Sequence, residues 1–161
     1  MLKEAELRRT VELVARKAGP SAPILLVVDA DDDAACQLGP GLLSVASAAR
    51  SDRELAVVVA IREYEAWLLA SAESLAGLRG LPGDLPHVDD PEGHANPKAW
   101  LDVQMPEGYS ETLDQPALTA AIDLALARRC DSFDKFVRDL ARLLGRSTPP
   151  RRLPEHGPAT S

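Results

Sequence analysis

Aromatic side chains are scarce in this chain, at 4% of 161 residues, and cysteine is scarcer still, with two. Cys36 and Cys130 lie far apart and match no metal-ligand spacing, which argues against a disulfide scaffold or a zinc cluster. Two unpaired thiols in a reducing cytosol are expected instead. No apolar run approaches the length of a bilayer span, and the N-terminus lacks a signal-peptide pattern, so the expectation is a cytoplasmic protein with no membrane association. Also missing are a Ser/His/Asp set, a phosphate-cradling glycine loop, zinc-finger spacing and any internal repeat. Positive charge is in deficit: 18 Lys and Arg stand against 25 Asp and Glu, for a net charge of -7. That balance argues against a surface built mainly to grip nucleic acid. It leaves room for a nuclease whose metal and local arginines handle the phosphates.

What is present suits one α/β domain, with enough chain to bury a core. The organising stretch is Ile24-Leu25-Leu26-Val27-Val28, five apolar residues that read as a strand buried on both faces, as in a parallel sheet. It stops at four carboxylates, Asp29, Asp31, Asp32 and Asp33. Ligands of open α/β sheets gather at the carboxyl ends of strands. Carboxylates this close raise one another's pKa unless a cation neutralises them, and a hard divalent ion, Mg²⁺ first, suits oxygen ligands. The alternative is a solvated acidic turn that caps the next helix.

A second apolar run, Leu55 to Ile61, ends at Arg62-Glu63-Tyr64-Glu65. Between the runs, Gly39-Pro40-Gly41 reads as a turn and residues 41–50 as a short helix. Strand, helix, strand in this order predicts two parallel strands with both acidic ends on one edge. Asp29, Asp31 and Glu63 or Glu65 are then expected to converge.

The remaining chain reads as helical. Leu7, Val11, Val14 and Ala18 form one face of a helix over residues 2–18, closed by Gly19-Pro20. A helix from Ala66 reaches Gly77, and residues 77–96 form a long polar loop. In that loop His87 and His94 lie beside Asp89, Asp90 and Glu92, either as a soft metal site or as solvated side chains. Asn96-Pro97 opens a helix through Trp100 and Met105. Asp114-Gln115-Pro116 opens another, carrying Leu118, Ile122 and Leu126. Ser132 caps a last one whose apolar face holds Phe133, Phe136, Val137, Leu140, Leu143 and Leu144, and Gly145 ends it. Residues 1–145 are thus read as one domain and 146–161 as a disordered tail.

The segments VVDADDD, VVVAIREYEAWLLAS, NPKAWL, TLDQPALT and CDSFDKFVRDLARLL, in that order, resemble the bacterial family of unknown function DUF4276, whose members are similar to Toprim domains. The resemblance runs from the first helix to Gly145. It implies a Rossmann-like, Toprim-like parallel sheet with a metal-dependent site. The family's Asp-x-Asp pair maps onto Asp29 and Asp31, and its acidic pair after the next strand onto Glu63 and Glu65. Toprim-like proteins usually carry a further glutamate on a glycine-rich turn after an earlier strand. Here only a helix with Glu4, Glu6 and Glu12 precedes Ile24. The expectation is therefore a short, N-terminally truncated sheet: either Met1 is an internal start or part of the site has been lost.

The resulting functional expectation is a Mg²⁺-dependent, or Mn²⁺-dependent, phosphodiesterase acting on nucleic acid or another phosphoester. Asp29 and Asp31 ligate the metal, Glu63 is the third ligand and Glu65 the second choice for it. Asp33 holds a water at the metal or caps the helix. Arg62 contacts a phosphate or pairs with Glu63 or Glu65, while Tyr64 and Trp67 pack. The competing expectation is a non-catalytic binding or regulatory subunit. It would meet a protein partner, or a second copy, through an open sheet edge or the C-terminal helix.

Overall fold

The computed structural model describes residues 3–151. Its centre is a two-stranded parallel sheet, β1 (Ile24–Asp29) beside β2 (Leu55–Ala60), with Ile24 opposite Leu55 and Asp29 opposite Ala60. Helix α2 (Ala35–Ala49) makes the crossover, so both strands deliver their carboxyl ends to the same edge, as the order of the apolar runs predicts. Because strand side chains alternate, Ile24, Leu26 and Val28 share a face with Leu55, Val57 and Val59, under α1 (Glu4–Ala18) and α2. Leu25 turns the other way with Val58 and Ala60, toward α3 (Glu65–Ala70) and α8 (Asp131–Leu143). Trp67 sits at the middle of that second core, edge-on to Phe133 with ring centroids 5.0 Å apart, and its indole N–H donates to Ser132 Oγ at 2.7 Å. A third cluster joins α3 to α4 (Ala72–Leu75), α5 (Pro97–Gln104) and α6 (Asp114–Ala121) through Leu69, Leu75, Leu101 and Leu118. The result is a mixed α/β fold with a short sheet and a helical C-terminal half. No helix among the described residues is long and apolar enough to cross a membrane.

Burial on both faces holds for β2, which is enclosed along all six residues, but not for β1, where Val27 is 40% exposed. With two strands only, the outer side of β1 has no neighbour among the described residues. On α1 the inward face is Leu7, Val11 and Ala15, while Val14 and Ala18 point out. A four-residue spacing aligned with the sheet displaces the expected three-and-four pattern there.

Residues 39–41 do not form a turn. Helix α2 starts at Ala35 and passes through Pro40, which removes one N–H, while Leu42 and Ala46 bury against the sheet. The helix predicted from Ala66 breaks at Ser71, whose hydroxyl donates to the Asp123 carbonyl and accepts its N–H. The helix opened by Asp114 likewise stops at Ala121, and α7 (Leu124–Ala127) begins anew with the Asp123 carboxylate as its cap. Both cysteines are free thiols; Cys130 is buried, and burial pushes its pKa up. Of residues 146–151, read as the start of a tail, several are held by the segment that leads into α8. Arg128 Nη1 donates to the Pro149 and Pro150 carbonyls, and Arg151 pairs with Asp131 at 2.8 Å. The rest of that expected tail, 152–161, is outside the described residues.

Candidate functional site

The site is built where the two strands run out. Ala30 N–H donates to the Ala60 carbonyl and Asp31 N–H to the Arg62 carbonyl, both at 2.9 Å, so the pairing of β1 with β2 continues into the two acidic turns. Asp29 then reaches across and accepts the main-chain N–H of Tyr64 at 2.8 Å. The turns are held in an uncommon shape. Asp31 and Arg62 face each other with φ of 51° and 65°, left-handed conformations that cost a non-glycine residue about 1–2 kcal/mol. Arg62 Nη1 lies 3.2 Å from Asp32 Oδ1, so its partner is Asp32, not Glu63 or Glu65. Asp31, Asp32, Arg62 and Glu63 line a polar hollow of about 150 Å³ with Asn96. Asp33 borders the other side of the strand end and does not cap α2, whose first turn has no side-chain cap.

The two glutamates diverge. Glu63 Oε2 accepts the Lys98 N–H at 3.0 Å, in the first turn of α5, while its Oε1 stands 4.0 Å from the Lys98 ammonium. Lys98 also pairs with Glu111. Glu65 is fully buried and turns inward, where Oε1 accepts from Tyr109 OH at 2.9 Å and from Gln115 Nε2 at 3.0 Å. Sequence reasoning missed these partners. Lys98 and Gln115 lie inside segments that signalled the family, and Lys98 is the single base in NPKAWL, placed just after a helix start.

Asp29 bears the electrostatic strain of the site. Its pKa is raised, first by desolvation at the strand end and then by the charges of Glu65 and Asp31; the Tyr64 N–H and Lys98 oppose the shift. Lys98 is itself pushed up, mainly by its hydrogen bond to Glu111 and further by Glu65 and Glu63. Burial and then Glu65 push the Tyr109 phenol up as well, so it stays a donor.

Among the described residues, no group of three or more His, Cys, Asp or Glu side chains is arranged to hold a metal ion. The donor set is nevertheless all oxygen, and Mg²⁺ is commonly held by one or two carboxylates with waters and substrate phosphate completing its shell. Asp29 and Asp31 border one hollow at the strand end, together with Asp33.

Of the loop acids, only Asp89 stands near a histidine, 3.4 Å from His87 Nε2. His87 faces Glu73 and Arg129, and His94 accepts the Asn96 N–H at 3.3 Å. Both Glu92 oxygens are engaged by the first N–H groups of α8. These contacts tie the long loop down and account for its polar side chains.

Residues 3–141 match the family model described as Domain of unknown function (DUF4276), from α1 to near the end of α8. The chain belongs to the DUF4276 family. Every candidate site residue of this DUF4276 protein falls within the matched region. Neither the curated proteins nor the solved structures searched contain a match to the chain.

Proposed function

We propose that this DUF4276 domain is a Toprim-like, Mg²⁺-dependent phosphodiesterase acting on nucleic acid or another phosphoester. One observation carries the reading: Asp29 ends a parallel strand with one carboxylate oxygen left after the Tyr64 bond, and Asp31 and Asp33 bring like charge to the hollow that it borders. A divalent cation relieves that repulsion. Asp29 and Asp31 hold the metal, with Mn²⁺ an alternative to Mg²⁺. Glu63 Oε1, which has only a 4.0 Å contact to Lys98, serves as third ligand, and Glu65 acts through its charge. Asp33 borders the same hollow as Asp29 and Asp31 and orients solvent there. Bound there, the metal supplies Lewis-acid stabilisation to the charge that develops during an in-line displacement. Arg62 lines the polar hollow and offers a guanidinium to a phosphate oxygen in exchange for the exposed Asp32.

A second reading, a non-catalytic binding subunit, is favoured by the engagement of both Glu63 and Glu65 with neighbouring helices. One experiment separates the two: titrate Mg²⁺ or Mn²⁺ while following thermal melting and cleavage of DNA and RNA. At a hundredfold excess over the dissociation constant, a bound metal adds about 2.7 kcal/mol. Stabilisation and cleavage that both vanish in Asp29→Asn support the enzyme. Cleavage untouched by that substitution overturns it, and stabilisation without cleavage selects the binding subunit.

A further inference from the structure

Asp31 borders two hollows at the end of β1. One also holds Asp29 and Asp33, on the side proposed for the metal. The other, of about 150 Å³, lies between the two acidic turns and the start of α5, and is lined by Asp31, Asp32, Arg62, Glu63, Ala95 and Asn96. Three carboxylates against one guanidinium leave it negative, so an anion is repelled until a divalent cation reverses the local field.

Asn96 is held there by the helix it begins. Its Oδ1 accepts the Ala99 N–H at 2.8 Å, its carbonyl accepts the Trp100 N–H at 3.1 Å, and its own N–H donates to His94 at 3.3 Å. Three of its four polar atoms are thus committed. Only Nδ2, which carries two donor hydrogens, has no partner among the described residues.

We infer, resting on the reading that the strand end holds a divalent cation, that Asn96 contacts substrate. Its Nδ2 donates to a non-bridging oxygen of the phosphoryl group beside the Arg62 guanidinium, and that group enters the hollow only with the cation in place. Asp31, shared by the two hollows, sets the cation next to the phosphoryl group. Pockets for drug-sized ligands begin at about 300 Å³, twice this volume. The hollow therefore reads the phosphodiester alone, and the groups it joins lie outside.

The test titrates the whole chain with dimethyl phosphate, a diester with neither base nor sugar, at saturating Mg²⁺ and in EDTA. Nitrogen NMR follows the Asn96 side-chain amide, and thermal melting reports separately whether Mg²⁺ binds. With Mg²⁺ the amide should shift, and the diester should bind at least about tenfold more tightly than in EDTA. Asn96→Asp keeps an acceptor for Ala99 and sets an oxygen in place of Nδ2. It should melt like the parent in EDTA and bind the diester about tenfold less tightly with Mg²⁺. Asn96→Ser also keeps a cap and lacks the amide without adding charge, so it too should lose affinity. An amide that does not shift in the Mg²⁺-stabilised chain overturns the inference and leaves the metal reading standing. Parent-like affinity in Asn96→Ser, or equal binding in EDTA, does the same. A chain that Mg²⁺ does not stabilise overturns the metal reading, and the inference with it.

Discussion

The carboxylate of Asp29 accepts the main-chain N–H of Tyr64 at 2.8 Å, so the last residue of β1 holds the turn that follows β2. This bond favours the ionised carboxylate, yet desolvation and the charges of Glu65 and Asp31 outweigh it and raise the pKa. An acid whose pKa is raised by folding stabilises the fold while protonated. That contribution is lost as pH rises from the ordinary aspartate range through the folded value. Asp29→Asn keeps an acceptor for Tyr64 and removes the charge. At about pH 7 it should be at least as stable as the parent, with the difference disappearing toward about pH 3. Thermal melts across that range check this; a variant clearly less stable at neutral pH would show that the carboxylate is a net structural asset.

Lys98 is the cation that acts on Asp29, bound to Glu111 and 4.0 Å from Glu63. Its charge lowers the pKa of Asp29 and competes with any metal for the same field. Lys98→Met keeps the aliphatic stem and the main-chain N–H that Glu63 accepts. The Asp29 carboxyl should then titrate at higher pH, and the Mg²⁺ dissociation constant should fall about tenfold. Carbon NMR of the carboxyl and titration calorimetry read the two effects separately, so the first stands even if no metal binds.

The parts of this architecture that show in the sequence are those fixed by near neighbours. Two apolar runs around one helix dictate a parallel pair. Asn96 before Pro97 dictates a helix start, and its Oδ1 does accept the Ala99 N–H at 2.8 Å. What did not show depends on distant partners. The break at Ser71 exists because Asp123 arrives there. Glu63 and Glu65 are told apart in the sequence only by their distance from the strand end, but one meets the first turn of α5 and the other Tyr109 and Gln115. An open sheet edge was expected, but not on which strand, since five apolar residues in a row read the same with one neighbouring strand or two.

Helix α8 begins after Cys130 without a cap of its own, and Glu92 of the long loop provides one. Its two oxygens accept the N–H groups of Asp131 at 2.8 Å and Ser132 at 3.0 Å, a carboxylate set against the positive end of the helix. Glu92→Gln keeps one acceptor and loses the charge. It should cost about 1 kcal/mol in urea denaturation and speed limited proteolysis within residues 77–96. Unchanged proteolysis would show that the loop is held by its other contacts, the buried Leu81 and Leu85 and those of His87 with Glu73 and Arg129.

Arg128 and Asp134 form a buried ion pair in the helical half. Arg128 Nε and Nη2 donate to Asp134 Oδ1 at 2.8 and 2.6 Å, while Nη1 takes the Pro149 and Pro150 carbonyls. Arg128→Met leaves a buried carboxylate with Arg138 alone and releases the carbonyls of Pro149 and Pro150, so it should cost about 3–5 kcal/mol. Arg151→Ala breaks a pair with the exposed Asp131 and should cost about 1 kcal/mol or less. If the penalty comes from the stranded charge, Arg128→Met combined with Asp134→Leu regains much of it, because the carboxylate is gone. If it comes instead from the lost grip on Pro149 and Pro150, the double variant stays as unstable as the single one. A double-mutant cycle in urea distinguishes these outcomes and shows whether the helix start or the strand of chain crossing it holds this corner together.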